Sequence, residues 1–231
     1  MLKELNIESY FGNPNAKLFN QEANIICNSI SQFLQDEKLD TGHIECIDLI
    51  FTKKVIGNTI VNSGWKLRKQ IIFDFELFWE SSNEIRQKIL VEISKQQVLA
   101  FAESFNWNIK KIIKAFDRAK ESNYSTTKIY NKPLDFVESK KIYLGYTYEK
   151  DGAIVFLNFT KDNKLISQKK LCKVWPDKEY LLRLHGNFKK EEDKIIIESS
   201  GLSRKSFKLI YNLENDKTTL DGDIPRWIEL I

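Results

Sequence analysis

The sequence predicts an α+β protein in two parts: an N-terminal helix–antiparallel sheet–helices unit, followed by a C-terminal antiparallel β-meander forming a curved sheet or a small barrel. Three observations carry this. Apolar residues recur at helical spacing through most of the first half, the clearest alternation of apolar and polar residues in the chain lies between Trp65 and Leu77, and beyond Pro133 short apolar runs alternate with turn-forming pairs. The change of rhythm falls at Asn123–Pro133, so residues 1–123 read as a mixed α/β unit, 124–133 as a linker and 134–231 as a β-rich domain.

Asn13-Pro14 marks a helix start, since proline fits a first helical turn and asparagine can cap free amides. Phe19, Ala23, Ile26, Ile30 and Phe33 then fall on one helical face, and Gly42 is the expected stop. Ile44–Phe51 reads as a strand, Gly57-Asn58 as a turn, and Thr59–Asn62 as a second strand. In the alternating stretch Trp65, Leu67, Ile71, Phe73, Phe75 and Leu77 share one face, while Lys66, Arg68, Gln70, Asp74 and Glu76 share the other. That predicts one long, half-buried antiparallel strand.

Ser81 and Glu84 have the spacing of a capping box and open a helix carrying Ile85, Ile89, Ile93, Val98, Phe101 and Phe105. Asn106-Trp107-Asn108 interrupts it. A further helix runs from Ile109 to Glu121, with Ile109, Ile112, Ile113 and Phe116 inward and Lys110, Lys111, Lys114 and Arg118 outward. Beyond the linker, strands are expected at Lys141–Tyr148, Ala153–Thr160, Lys164–Leu171, Glu179–Leu184, Lys194–Ser199, Ser206–Asn212 and Trp227–Leu230. Asp151-Gly152, Asp162-Asn163, Gly186-Asn187, Asn215-Asp216 and Asp221-Gly222 separate them.

Composition narrows the function. The chain has 231 residues, 42% hydrophobic and 29% charged, with a net charge of +4. Divided at Asn131, its parts carry +1 and +3, so neither has the field of a dedicated nucleic-acid binder. Cys27, Cys46 and Cys172 are widely spaced among apolar neighbours, which suits free thiols in a reducing compartment, and no Cys/His spacing offers zinc. No signal-peptide core and no membrane-spanning run is visible, which predicts a cytoplasmic protein with no membrane partner. Neither a G-x-x-x-x-G-K-[ST] run nor a G-x-G-x-x-G turn occurs, so the reading expects no cofactor.

Candidate chemistry is sparse. His43 and His185 lie in different parts, with no nucleophile at a telling distance, and read as surface or strand-end residues. Asp74 and Glu76, with Glu45 or Asp48 on a neighbouring strand, could gather as a magnesium or acid–base site, but the same pattern describes the polar side of an amphipathic strand. No catalytic or metal-binding residue is therefore assigned. That polar side, with Lys66, Arg68, Asp74 and Glu76, is instead the candidate partner surface. Gln97–Lys120 has the spacing of a helix-turn-helix about Asn106, so Lys110, Lys111, Lys114 and Arg118 become nucleic-acid contacts under an alternative reading as a DNA-associated regulator. A second alternative places a small-ligand or enzyme pocket in the β-rich half. The five tryptophans read mainly as core, with exposed ones marking a partner surface.

The order of Phe73-Asp74-Phe75-Glu76-Leu77-Phe78, the capped helix Ser81–Leu90, the corner Ala102-Glu103-Ser104-Phe105-Asn106-Trp107 and the Asp151-Gly152 and Gly186-Asn187 turns resembles bacterial immunity-type proteins encoded beside polymorphic or contact-dependent toxins. The resemblance spans Phe73 to Phe188 and rests on packing and capping residues. It implies a non-catalytic protein that binds and neutralises one cognate toxin, with the solvent face of the long strand or the loops of the β-rich half as the meeting surface. It carries no functional residue across.

Overall fold

The computed structural model describes residues 1–9, 13–130, 132–136, 139–149, 152–175, 178–203 and 206–231, and divides into two compact units, Met1–Thr126 and Thr127–Ile231. Asn131 in the expected linker and Asp151 of the Asp151-Gly152 turn lie outside the described residues. The α+β class holds: helices fill much of the first unit, and the second is built from antiparallel sheets.

The first unit opens with β1 (Glu4–Ser9), a strand absent from the expected elements. Its signal is present in the sequence, because Leu5, Ile7 and Ser9 are buried while Glu4, Asn6 and Glu8 are partly open. Helix α1 (Ala16–Asp36) follows, burying Phe19, Ala23, Ile26 and Ile30 as their spacing requires. It ends well before Gly42: Lys38 takes a left-handed φ of 48°, and Gly42, at φ 61°, belongs to the next turn. Then come β2 (Cys46–Thr52), β3 (Ile60–Asn62) and β4 (Lys66–Ile72). Their order across the sheet is β1-β2-β4-β3, with β1–β2 and β2–β4 parallel and only β3–β4 antiparallel. The expected antiparallel sheet is thus a mixed one, and β1–α1–β2 is a parallel crossover unit.

The long alternating strand is also corrected. It stops at Ile72, and Phe75–Glu80 forms helix α2. Asp74 overrides the alternation by capping the new helix, its Oδ1 accepting from the Glu76 and Leu77 amides at 3.0 and 3.1 Å. Phe75 and Phe78, one turn apart, are buried, whereas Leu77 faces outward. Phe78 and Phe75 join Phe19, Phe51 and Phe73 in a cluster of tilted and edge-on rings with centroids 4.8–6.0 Å apart.

Helix α3 (Asn83–Phe105) is capped by Ser82, whose Oγ accepts from Ile85 N, not by Ser81; Ser81 Oγ donates back to the Leu77 carbonyl and closes α2. Asn106 ends α3 in the left-handed conformation at φ 56°, and Asn108 caps α4 (Ile109–Glu121). In α4 Ile112 and Phe116 are buried, but Ile109 and Ile113 are exposed rather than inward. Leu5, Ile7, Ile47, Leu49, Phe51 and Leu67 from one face of the sheet share a core with α1, α3 and α4.

The second unit contains β5 (Thr126–Ile129), β6 (Leu134–Asp135), β7 (Lys140–Glu149), β8 (Gly152–Lys161), β9 (Lys164–Val174), α5 (Lys178–Leu184), β10 (Phe188–Glu191), β11 (Lys194–Glu198), β12 (Phe207–Asn212), β13 (Lys217–Gly222) and β14 (Ile228–Leu230). Strand β5 falls where a linker was expected, and β6 begins just past the end of that stretch. The strands form two sheets, β14-β9-β8-β7-β5 with β6 beside β7, and β10-β11-β12-β13, neither closed into a barrel. Glu179–Leu184, expected as a strand, lies in α5, because Leu181 and Leu184 sit one helical turn apart and both point into the core. Ile142, Leu144, Val155, Leu157, Ile195, Ile197 and Leu209 from both sheets share that core with the two leucines.

Candidate functional site

Because β1, β2 and β4 are in register, Asn6 stands beside Asp48 and Asp48 beside Arg68, with Cys46 beside Lys66 one step away. Side chains alternate along a strand, so all five project from the sheet face opposite the helices. Asp48 is the centre. Its Oδ2 accepts from Lys66 Nζ at 2.9 Å and from Arg68 Nη2 at 3.3 Å, and its Oδ1 accepts from Asn6 Nδ2 at 3.1 Å. Cys46 Sγ lies 3.4 Å from the same Oδ1 and accepts from Asn6 Nδ2 at 3.4 Å.

The electrostatics follow from that packing. Burial pushes the Asp48 carboxyl up, but hydrogen bonds from Lys66, Asn6 and Cys46 outweigh it and hold the group below its ordinary range. The Lys66 ammonium is raised, chiefly by its bond to Asp48. Burial first, and the Asp48 charge second, push the Cys46 thiol up to about 12, so it is no nucleophile at neutral pH. Burial likewise lifts Cys172 to about 12 and Cys27 higher.

Asp48 is thus a buried anchor that fixes two cations at the surface. Its side chain is 5% exposed, whereas that of Arg68 is 53% exposed. Open apolar side chains flank this pair of cations: Val61 is the register partner of Arg68 on β3, Ile72 ends the strand at 72% exposure, and Trp65, just before the strand and 55% exposed, has its ring 5.0 Å from Lys66 Nζ. Of the four expected partner residues the structure therefore joins Lys66 with Arg68. It separates Asp74, the cap of α2, and Glu76, which pairs with Lys53 at 2.8 Å. Asp48, the residue that organises the site, was visible in sequence only as one of several carboxylates. Its partners come from three strands brought together by the parallel crossover, which no local spacing reveals.

The basic row of α4 makes contacts within the first unit. Lys114 and Arg118 bond Glu37 at 3.0 and 2.9 Å, Arg118 reaches Asp36 at 3.4 Å and lies over the Phe33 ring, and Lys111 donates to the Lys38 carbonyl at 3.1 Å. These cations meet the carbonyl end of α1, where positive charge is favoured. Lys110 lines a shallow surface hollow with Ile113, Lys114, Asp117, Arg118 and Glu121, a rim of both signs.

His185 follows α5 and is packed against aromatic rings: Tyr130 lies 4.0 Å away, and Tyr146 stands 5.8 Å from Tyr130. Its Nε2 is buried without a hydrogen-bond partner among the described residues. Burial pulls the ring's pKa down to about 4 and raises the Tyr130 and Tyr146 hydroxyls, so at neutral pH the group is an uncharged aromatic nest. An open hollow in the same unit is lined by Ile129, Tyr143, Asn158, Thr160, Asn163 and Leu165, all uncharged.

Among the described residues no helix is long and apolar enough to cross a membrane, and no group of three or more His, Cys, Asp or Glu is placed to hold a metal ion. Comparison of the chain with protein-family models, curated proteins and solved structures finds no match.

Proposed function

We propose that the protein is a non-catalytic protein-binding module of the immunity type, which binds and neutralises a cognate bacterial toxin in the cytoplasm through the open face of its first sheet. One observation carries this reading: Asp48 holds Lys66 and Arg68 in place beside the exposed apolar side chains of Val61, Trp65 and Ile72. Arginine and tryptophan are the residues most enriched where binding energy concentrates. A guanidinium already oriented by a buried carboxylate also loses less freedom on binding than a mobile one. The raised thiols and the neutral histidine fit a protein that binds rather than reacts.

The test is co-expression of tagged protein with the products of its neighbouring genes, followed by capture and a growth-protection assay. A captured toxin, protection by the wild type, and loss of both with Arg68→Glu and Ile72→Asp are expected. Failure to capture or protect against any neighbouring product overturns the function. Full binding by both variants overturns the surface.

A further inference from the structure

Strand β3 is the outer edge of the first sheet, and nothing in its sequence protects it. Natural edge strands are blunted by charge, proline or a bulge, because free backbone groups template pairing with another chain. Val55–Trp65, which contains β3, has no charged residue and no proline, in a chain that is 29% charged. The three residues of β3 are exposed. Gln70 N donates to the Thr59 carbonyl at 2.8 Å and Ser63 N to the Lys66 carbonyl at 2.9 Å, so residues 59, 61 and 63 turn their backbone groups toward β4. The amides and carbonyls of Ile60 and Asn62 therefore point away from the sheet, a ready set of donors and acceptors for one more strand.

The surroundings decide what that strand is. From Leu49 to Phe73 the chain holds Lys53, Lys54, Lys66, Arg68 and Lys69 and no acid. Asp48 and Glu76, from outside this stretch, offset part of that charge, yet the excess stays positive. Arg68 and Lys69 stand in register with Val61 and Ile60, one on each face of the sheet, and an added strand would run about 10 Å from them, within reach of long side chains. A second copy would bring the same cations against themselves, which like-charge repulsion disfavours.

We infer that β3 accepts an extended acidic segment of a partner protein as a fifth strand, with β-branched side chains over Ile60 and Val61 and carboxylates toward Arg68 and Lys69. This deepens the partner surface assigned above and rests on that assignment, but makes a separate claim about how the partner binds.

The experiment pans a displayed random peptide library against the immobilised full chain, and sorts the selected peptides by fluorescence anisotropy against wild type and variants. Ile60→Pro removes an outward donor while leaving the ladder to β4 intact, and Ile60→Lys leaves the backbone unchanged but adds the missing gatekeeper. Circular dichroism melts check that both variants fold. Expected are acidic peptides with alternating β-branched residues, weakened about tenfold or more by Ile60→Pro, the size of one lost charge-flanked backbone contact pair. Their binding should also weaken as salt rises from about 0.1 to about 1 M and the screening length falls from about 10 to about 3 Å. No enrichment, or enriched peptides indifferent to both variants, overturns the inference. Sedimentation showing a wild-type dimer that Ile60→Lys dissociates overturns it in favour of self-pairing. If a captured toxin is lost with Arg68→Glu but kept by Ile60→Pro, the partner function stands and strand addition falls.

Discussion

Replacing Asp48 with asparagine keeps the shape of the anchor and removes its charge. The neutral amide cannot accept from Lys66 and Arg68 with comparable strength. The Arg68 contact, at 3.3 Å and with half the side chain in water, contributes less than about 1 kcal/mol. The Lys66 bond, at 2.9 Å with its side chain 23% exposed against a carboxylate 5% exposed, is the stronger one, about 2 kcal/mol. Burying an amide rather than a carboxylate returns part of this, so the net loss is about 2 kcal/mol. Asp48→Leu, which also strands Asn6 and Cys46, should cost about 3–5 kcal/mol. The assay is urea unfolding followed by the far-UV helical signal, which comes mainly from α1, α3 and α4 of the first unit. At about 2 kcal/mol per molar urea, Asp48→Asn should lower the midpoint by about 1 M. The sign of the pH effect follows from a depressed folded pKa. The stabilisation is complete above the ordinary carboxylate value and is lost as pH falls through the lower folded one, so the gap between wild type and Asp48→Asn should close below about pH 4. A midpoint unchanged at neutral pH, or a gap that widens in acid, would refute Asp48 as the anchor.

Three further outcomes are expected. His185 has its pKa pulled down by burial to about 4, below the ordinary 6.5, so the second unit should lose stability as pH falls from about 6.5 toward 4, and His185→Phe should flatten that acid limb in melts monitored by tryptophan fluorescence. Gly145→Ala would set a Cβ 2.6 Å from the Phe156 ring and 2.9 Å from the Lys128 carbonyl, and should destabilise by about 1–3 kcal/mol in the same melts. The double change Lys114→Ala with Arg118→Ala should lower stability by about 1 kcal/mol, since both cations keep contact with water, and electrophoretic mobility with duplex DNA should be the same for wild type and variant; a salt-dependent shift seen only with wild type would return α4 to the nucleic-acid reading.

How much of this was legible in the sequence depends on how local each signal is. Helices α1, α3 and α4 declared themselves, since Phe19–Ala23–Ile26–Ile30 and Ile112–Phe116 need only a 3.6-residue period. The β7–β8–β9 hairpins did too, through their turn pairs. Errors arose where two local rules competed over a few residues. At Asp74 a capping carboxylate ended an alternation that would otherwise have carried on to Leu77, and at Leu181–Leu184 a short apolar run suited either period. Strand direction was out of reach, because β2 and β4 become parallel neighbours only when the chain first forms β3 at the outer edge and then turns back to place β4 inside it. Of the expected partner set, Lys66 and Arg68 therefore belong to the strand proper, while Asp74 and Glu76 lie past its end.

The same distinction hides the cluster as a charge feature of the linear chain. A net charge of +4 over 231 residues is bland, yet the stretch from Leu49 to Phe73 holds five bases and no acid, so the rest of the chain is close to neutral. Linear averaging hides this; folding concentrates it, because β3 and β4 lie side by side at one edge of one sheet. Asp48 enters from the neighbouring strand and neutralises enough of the cluster to let it pack, without removing Arg68 from solvent. A carboxylate buried as deeply as Asp48 needs cationic partners, and Lys66 and Arg68 supply them. On the partner reading proposed above, an arginine held fixed beside uncovered Val61, Trp65 and Ile72 would meet a partner of opposite charge with less freedom to lose than a mobile one.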